Sequence, residues 1–126
     1  MAHVHGAGTW AYVTRDNIYA DPNLTIETVQ RTLMAVEKSR GELPSILYLQ
    51  LDNCSRENKN VAMLNWCTSL VERGLFPGGI EIGFLPVGHT HNGVDRIASR
   101  ISVAVRHRDI TTPARFCTML GECYPY

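Results

Sequence analysis

The chain has 126 residues, 44% of them hydrophobic and 19% charged, and its twelve basic residues balance twelve acidic ones. That length is about one domain, able to bury roughly two-thirds of its unfolded surface, and the balance leaves no net field to draw it onto DNA, RNA or an anionic membrane. No apolar run approaches the roughly 20 residues that span a bilayer, and no charged-then-apolar leader opens the chain, so a soluble, intracellular protein is expected.

Residues 9–14, Thr-Trp-Ala-Tyr-Val-Thr, have the aromatic and β-branched character of a short strand. Asp16-Asn17 and Asp21-Pro22-Asn23 then read as turns. From Leu24 to Arg40, Ile26, Val29, Leu33 and Val36 recur at helical spacing, with Asn23 or Thr25 to cap the start and Gly41 to end the helix. Ile46 to Leu51 is a strand expected to be buried on both faces, since five of its six residues are apolar or aromatic.

After the polar run Cys54 to Lys59, a second helix ends at Gly74. Its inner face is expected to carry Val61, Leu64, Cys67 and Val71, with Met63, Trp66 and Leu70 widening the stripe. Ile80 to Val87 reads as a strand that Pro86 confines to an edge or an exit. Val94, Ile97, Ile101 and Val105 mark a third helix from about Asn92, exposing Arg96, Arg100 and Arg106. Thr112-Pro113 opens a short last helix to about Leu120, and Gly121 to Tyr126 is read as a tail. The four cysteines, Cys54, Cys67, Cys117 and Cys123, are too irregularly spaced for a CxxC-type zinc site and are expected as free, buried thiols.

The order β-α-β-α-β-α-α, with right-handed crossovers, implies an α/β sheet of parallel neighbours flanked by helices. In such sheets ligands bind beyond the carboxyl ends of the strands. Two polar signatures stand there: Asp52-Asn53 after the strand Ile46–Leu51, and Gly88-His89-Thr90-His91, followed by Asp95, after the next strand. Two carboxylates converging from these exits would repel one another unless a cation lay between them, and oxygen donors favour Mg²⁺ or Mn²⁺. Such ions activate water at a phosphodiester. The plainer account stands beside this: Asp52-Asn53 is an ordinary turn or cap pair, and Asp95 sits where a helix dipole favours an acid.

His89 and His91 on extended backbone would share one face, suiting Zn²⁺, Mn²⁺ or Fe²⁺, or one imidazole would serve as a proton donor or phosphate contact while the other caps the helix. A plain polar loop fits them as well, and His3 and His5 form a second, incidental pair. Arg56, Lys59, Arg96 and Arg100 are candidate phosphate contacts, against the default of a solvated polar face. No P-loop, GxGxxG or GxSxG is present, and Ser55 has no evident base.

Leu51-Asp52-Asn53-Cys54 with Asn58-Lys59-Asn60, then Phe84-Leu85-Pro86-Val87-Gly88-His89-Thr90-His91 and Asp95, resembles an uncharacterised domain family of transposon-derived eukaryotic proteins. That family is itself similar to DDE-type transposases and retroviral-type integrases of the ribonuclease-H-like fold. The resemblance covers about residues 9–108 and aligns 24–40, 58–74 and 92–106 with helices interleaved with that fold's strands. It implies that Asp52 and Asp95 are the second and third acids of a catalytic triad, with His89 or His91 assisting and Mg²⁺ or Mn²⁺ bound. DNA is the implied partner and the nucleus the implied compartment.

The first acid would belong to a strand ahead of this stretch, so the chain is expected to be a truncated piece that lacks its own N-terminal partner segment and cuts nothing unaided. A rival resemblance is that of Gly88-His89-Thr90-His91 to the last metal motif of calcineurin-like metallophosphoesterases, whose upstream motifs do not occur here. Three functions therefore stand open: a metal-dependent nuclease or strand-transfer domain, a catalytically silent binding or interaction module, and a metallophosphoesterase fragment.

Overall fold

The computed structural model describes residues 1–86 and 93–123. In chain order the elements are β1 (Ala2–Val4), β2 (Gly8–Trp10), α1 (Pro22–Arg40), β3 (Ile46–Leu51), α2 (Val61–Glu72), β4 (Gly79–Phe84), α3 (Gly93–Arg106) and α4 (Pro113–Cys123). The protein is mixed α/β, with four helices and two small sheets among the described residues. It divides into two compact units, one spanning 14–89 and the other joining 1–13 to 90–126.

The first unit is built on β3, α2 and β4. β3 and β4 pair in parallel, Ile46 opposite Gly79 through Leu51 opposite Phe84, as expected for strands joined through a helix. Burial alternates along both strands: Leu47, Leu49 and Leu51 are half-buried with Ile80, Ile82 and Phe84, whereas Gln50, Glu81 and Gly83 are exposed. Tyr48 is 69% exposed, so β3 is not buried on both faces as its apolar run suggested. The sheet holds only two strands among the described residues, and the odd-numbered positions of β3 and even-numbered ones of β4 form its sheltered face.

α2 packs against β4 and α1 against α2. Among this unit's described residues the buried ones are Met63, Cys67 and Leu70 on α2, Thr32 and Val36 on α1, Asn58 in the loop before α2, and Phe76 in the turn before β4. The expected inner face of α2 is thereby corrected, because Val61 is 69% and Leu64 51% exposed. α2 is also shorter than the 58–74 the resemblance implied. α1 starts earlier than expected: Asp21, not Asn23 or Thr25, caps it, accepting from the Leu24 N–H at 2.9 Å, with Pro22 in the first turn. Gly41 ends it in the left-handed region, φ 84°, its N–H donating to the Glu37 carbonyl, a conformation that favours glycine.

In the second unit β1 and β2 form an antiparallel hairpin, with His3 opposite Thr9. The expected strand over 9–14 is thus reduced to Gly8–Trp10, and its ladder partner is β1. α3 packs against β1 and α4. α3 keeps Val94, Ile97 and Ile101 half-buried but has no fully buried residue, and Met119 of α4 is the buried apolar residue among the described residues of this unit. The Thr112 hydroxyl caps α4 by accepting from the Arg115 N–H at 3.2 Å. α4 runs through Gly121 to Cys123, where a tail was expected. All four cysteines are free, but only Cys67 is buried, and Cys117 is exposed.

Candidate functional site

Asp52 is the first residue past the carboxyl end of β3, and it is exposed. The neighbouring strand ends level with it: the Leu85 N–H donates to the Leu51 carbonyl at 2.9 Å, extending the ladder by one bond. The turn that follows is organised by Asp52 itself, whose Oδ1 accepts the Cys54 N–H at 3.0 Å, the local bond an Asx side chain makes two residues on. The same Oδ1 accepts a second, short bond from the Asn58 side-chain nitrogen.

Asn58 is buried, 7% exposed, and both ends of its amide are used. An ionised carboxylate only accepts, so the Asn58 nitrogen faces Asp52, and its oxygen accepts the Thr25 hydroxyl at 3.0 Å from the first turn of α1. The backbone around it is equally committed. The N–H groups of Asn58 and Lys59 both donate to the Cys54 carbonyl. Asn60 caps α2 by accepting from the Met63 N–H and donates to the Ser55 carbonyl. Between Asp52 and Asn60 these bonds engage the N–H groups of Cys54, Asn58 and Lys59 and the carbonyls of Cys54 and Ser55, which fixes the turn around Asp52.

Of the candidate phosphate contacts, Arg56 is exposed on this loop, and the Lys59 ammonium lies 5.6 Å from the Phe84 ring centroid, over the last residue of β4. A cation over an aromatic face at an exposed site contributes about 0.5–1 kcal/mol, which keeps Lys59 beside the strand ends. Arg96 and Arg100 are exposed on α3, in the other unit. Asp95 is half-buried in the first turn of the same helix, where the dipole favours it. Arg108, two residues past α3, is paired with Glu122 of α4. His89 and His91 lie outside the described residues.

Among the described residues no three His, Cys, Asp or Glu side chains gather as a metal cage. The donor chemistry at Asp52 still suits a hard cation. Oδ2 accepts no hydrogen bond among the described residues, and Mg²⁺ is commonly held by one or two carboxylates while keeping several waters. Sequence reasoning found Asp52 from its position after an apolar run. It names Asn58 only within the Asn58-Lys59-Asn60 stretch of the resemblance and Thr25 only as a possible helix cap, and connects neither to Asp52, because a polar stretch does not show which amide meets the carboxylate.

No helix among the described residues is long and apolar enough to cross a membrane. No curated protein and no solved structure matches the chain. A family model described as a domain of unknown function, DUF7869, matches residues 1–126, and the chain belongs to that family.

Proposed function

We propose that this chain derives from a transposase- or integrase-like nuclease and that Asp52 is a ligand for Mg²⁺ or Mn²⁺ in phosphodiester cleavage or strand transfer on DNA. One observation carries the reading: an exposed carboxylate stands at the carboxyl end of a parallel strand, fixed through one oxygen. Arg56 and Lys59, on the same loop, are the groups suited to a DNA phosphate. Asp95, His89 and His91 enter through the sequence reading of the two strand exits and through the resemblance, which also carries the ribonuclease-H-like strand order and, for a eukaryotic relative, a nuclear location.

A second reading, a binding or interaction module without catalysis, is favoured by the commitment of Asp52 Oδ1 and Asn58 to holding the loop. Titration of Mn²⁺, followed by water-proton relaxation, separates the two. The nuclease reading expects binding that weakens at least about tenfold in Asp52→Asn, with Asp95→Asn measured separately. Superimposable isotherms for wild type and Asp52→Asn would sink it, and no binding at all leaves the interaction module. Binding lost in His89→Ala but kept in Asp52→Ala would point to the metallophosphoesterase-like motif.

A further inference from the structure

Arg115, Met119 and Glu122 repeat along α4 at helical spacing and so share one face, which borders the loop Arg108-Asp109-Ile110 that follows α3. The two enclose a cleft of about 240 Å³. Its apolar lining is the buried Met119 and the half-buried Ile110, and its four charged side chains are all exposed. The loop is tied at both ends, by the Arg108 N–H donating to the Val105 carbonyl at 3.4 Å and by the Thr112 hydroxyl that caps α4.

The polar groups of the cleft are not equally committed. Arg108 is paired with Glu122, so those two charges cancel. The Thr118 hydroxyl, also at the cleft, donates to the Ala114 carbonyl of its own helix. The Arg115 and Asp109 side chains make no ion pair among the described residues, either with one another or with a third group. One cation and one anion therefore stand apart beside an apolar surface.

We infer that this cleft binds a free apolar α-amino acid, with its carboxylate on Arg115, its ammonium on Asp109 and its side chain on Met119 and Ile110. The guanidinium fork matches a carboxylate through two parallel bonds, and a carboxylate accepts from an ammonium. A simple anion would meet Asp109 as well as Arg115, and a simple amine would meet Arg115. Like charges set side by side oppose binding, and a zwitterion avoids both clashes. Size agrees, since sites for drug-sized ligands run to about 300–1,000 Å³ and this cleft is smaller. Both charged contacts are exposed and each contributes little, so the affinity is expected on the order of millimolar. The cleft belongs to the unit that joins 1–13 to 90–126, and Asp52 takes no part in it.

The test titrates the full chain with leucine, with isocaproate, which lacks the ammonium, and with isoamylamine, which lacks the carboxylate. The amide signals of residues 108–122 and the methyl signals of Ile110 and Met119 are followed by NMR. Leucine is expected to shift these signals, and each analogue to bind roughly two- to fivefold more weakly. In Arg115→Gln the affinity for leucine falls to that for isoamylamine, and in Asp109→Asn to that for isocaproate. Both substitutions change exposed side chains and leave the Arg108–Glu122 pair in place, and unchanged amide signals elsewhere verify the fold. Equal affinities for the three compounds would overturn the zwitterion assignment. Leucine shifts that persist undiminished in both variants, or none in wild type at concentrations far above millimolar, would overturn the site itself.

Discussion

Gly78 lies against Ile46 so closely that a methyl group on its Cα would stand 2.5 Å from Ile46 Cγ1 and 3.0 Å from the Ser45 carbonyl oxygen. The approach is held by the Gly78 N–H donating to that same carbonyl at 2.8 Å, one residue before the β3–β4 register begins at Ile46 and Gly79. Ile46 is branched at Cβ and cannot swing clear cheaply. Gly78→Ala is therefore expected to cost about 1–3 kcal/mol, as overpacking does. Gly83, inside β4, has nothing within 4 Å of the same methyl position. There alanine is expected to stabilise by about 0.5–1 kcal/mol through lower chain entropy. Urea midpoints at unchanged slope check both signs, and a Gly78→Ala midpoint equal to wild type would refute the steric account.

The buried face of α2 is tested by two neighbouring residues. Met63 is fully buried and Leu64 is 51% exposed, so truncating Met63 to alanine is expected to cost about 2–5 kcal/mol. Leu64→Ala is expected to stay within about 0.5 kcal/mol of wild type. Equal losses, measured by the same urea unfolding, would return the helix to the orientation that its sequence first suggested.

That orientation was wrong for a physical reason. Val61, Ala62, Met63, Leu64, Trp66, Cys67, Leu70 and Val71 surround α2 with apolar groups, and a helix apolar on most sides gives periodicity little to choose between. The buried set at 63, 67 and 70 is turned by roughly a quarter revolution from the expected one, at about 100° per residue. What was legible was the parallel β3–α2–β4 unit, because apolar runs of six residues separated by a helix leave few alternatives. The N-terminal hairpin was not, since strands of three residues carry too few side chains to show alternation. Asp21 was read as a turn former, although Asp followed by Pro is also how a helix begins. At the candidate site the carboxylate at the β3 exit was visible in sequence. Its partners were not, because Asn58 and Thr25 meet only when α1 folds onto the loop.

Cys67 supplies a prediction with a definite sign. Burial pushes its thiol above the ordinary thiol range by penalising the thiolate. The native state therefore keeps the proton at pH values where the unfolded chain, with a thiol pKa of about 8.5, has begun to lose it. Below that pH both states are protonated and the contribution to stability is fully present. As pH rises through the unfolded value toward the native one, the unfolded state binds fewer protons and stability falls. The difference between wild type and Cys67→Ala in urea midpoint is expected to be flat near pH 7 and to shift against wild type from about pH 8.5 upward. Thiol reagents at neutral pH are expected to label the exposed Cys117 at least about tenfold faster than Cys67, since the thiolate is the reactive form. A pH-independent difference together with equal labelling rates would show that the Cys67 thiol is not sheltered between α2 and its neighbours.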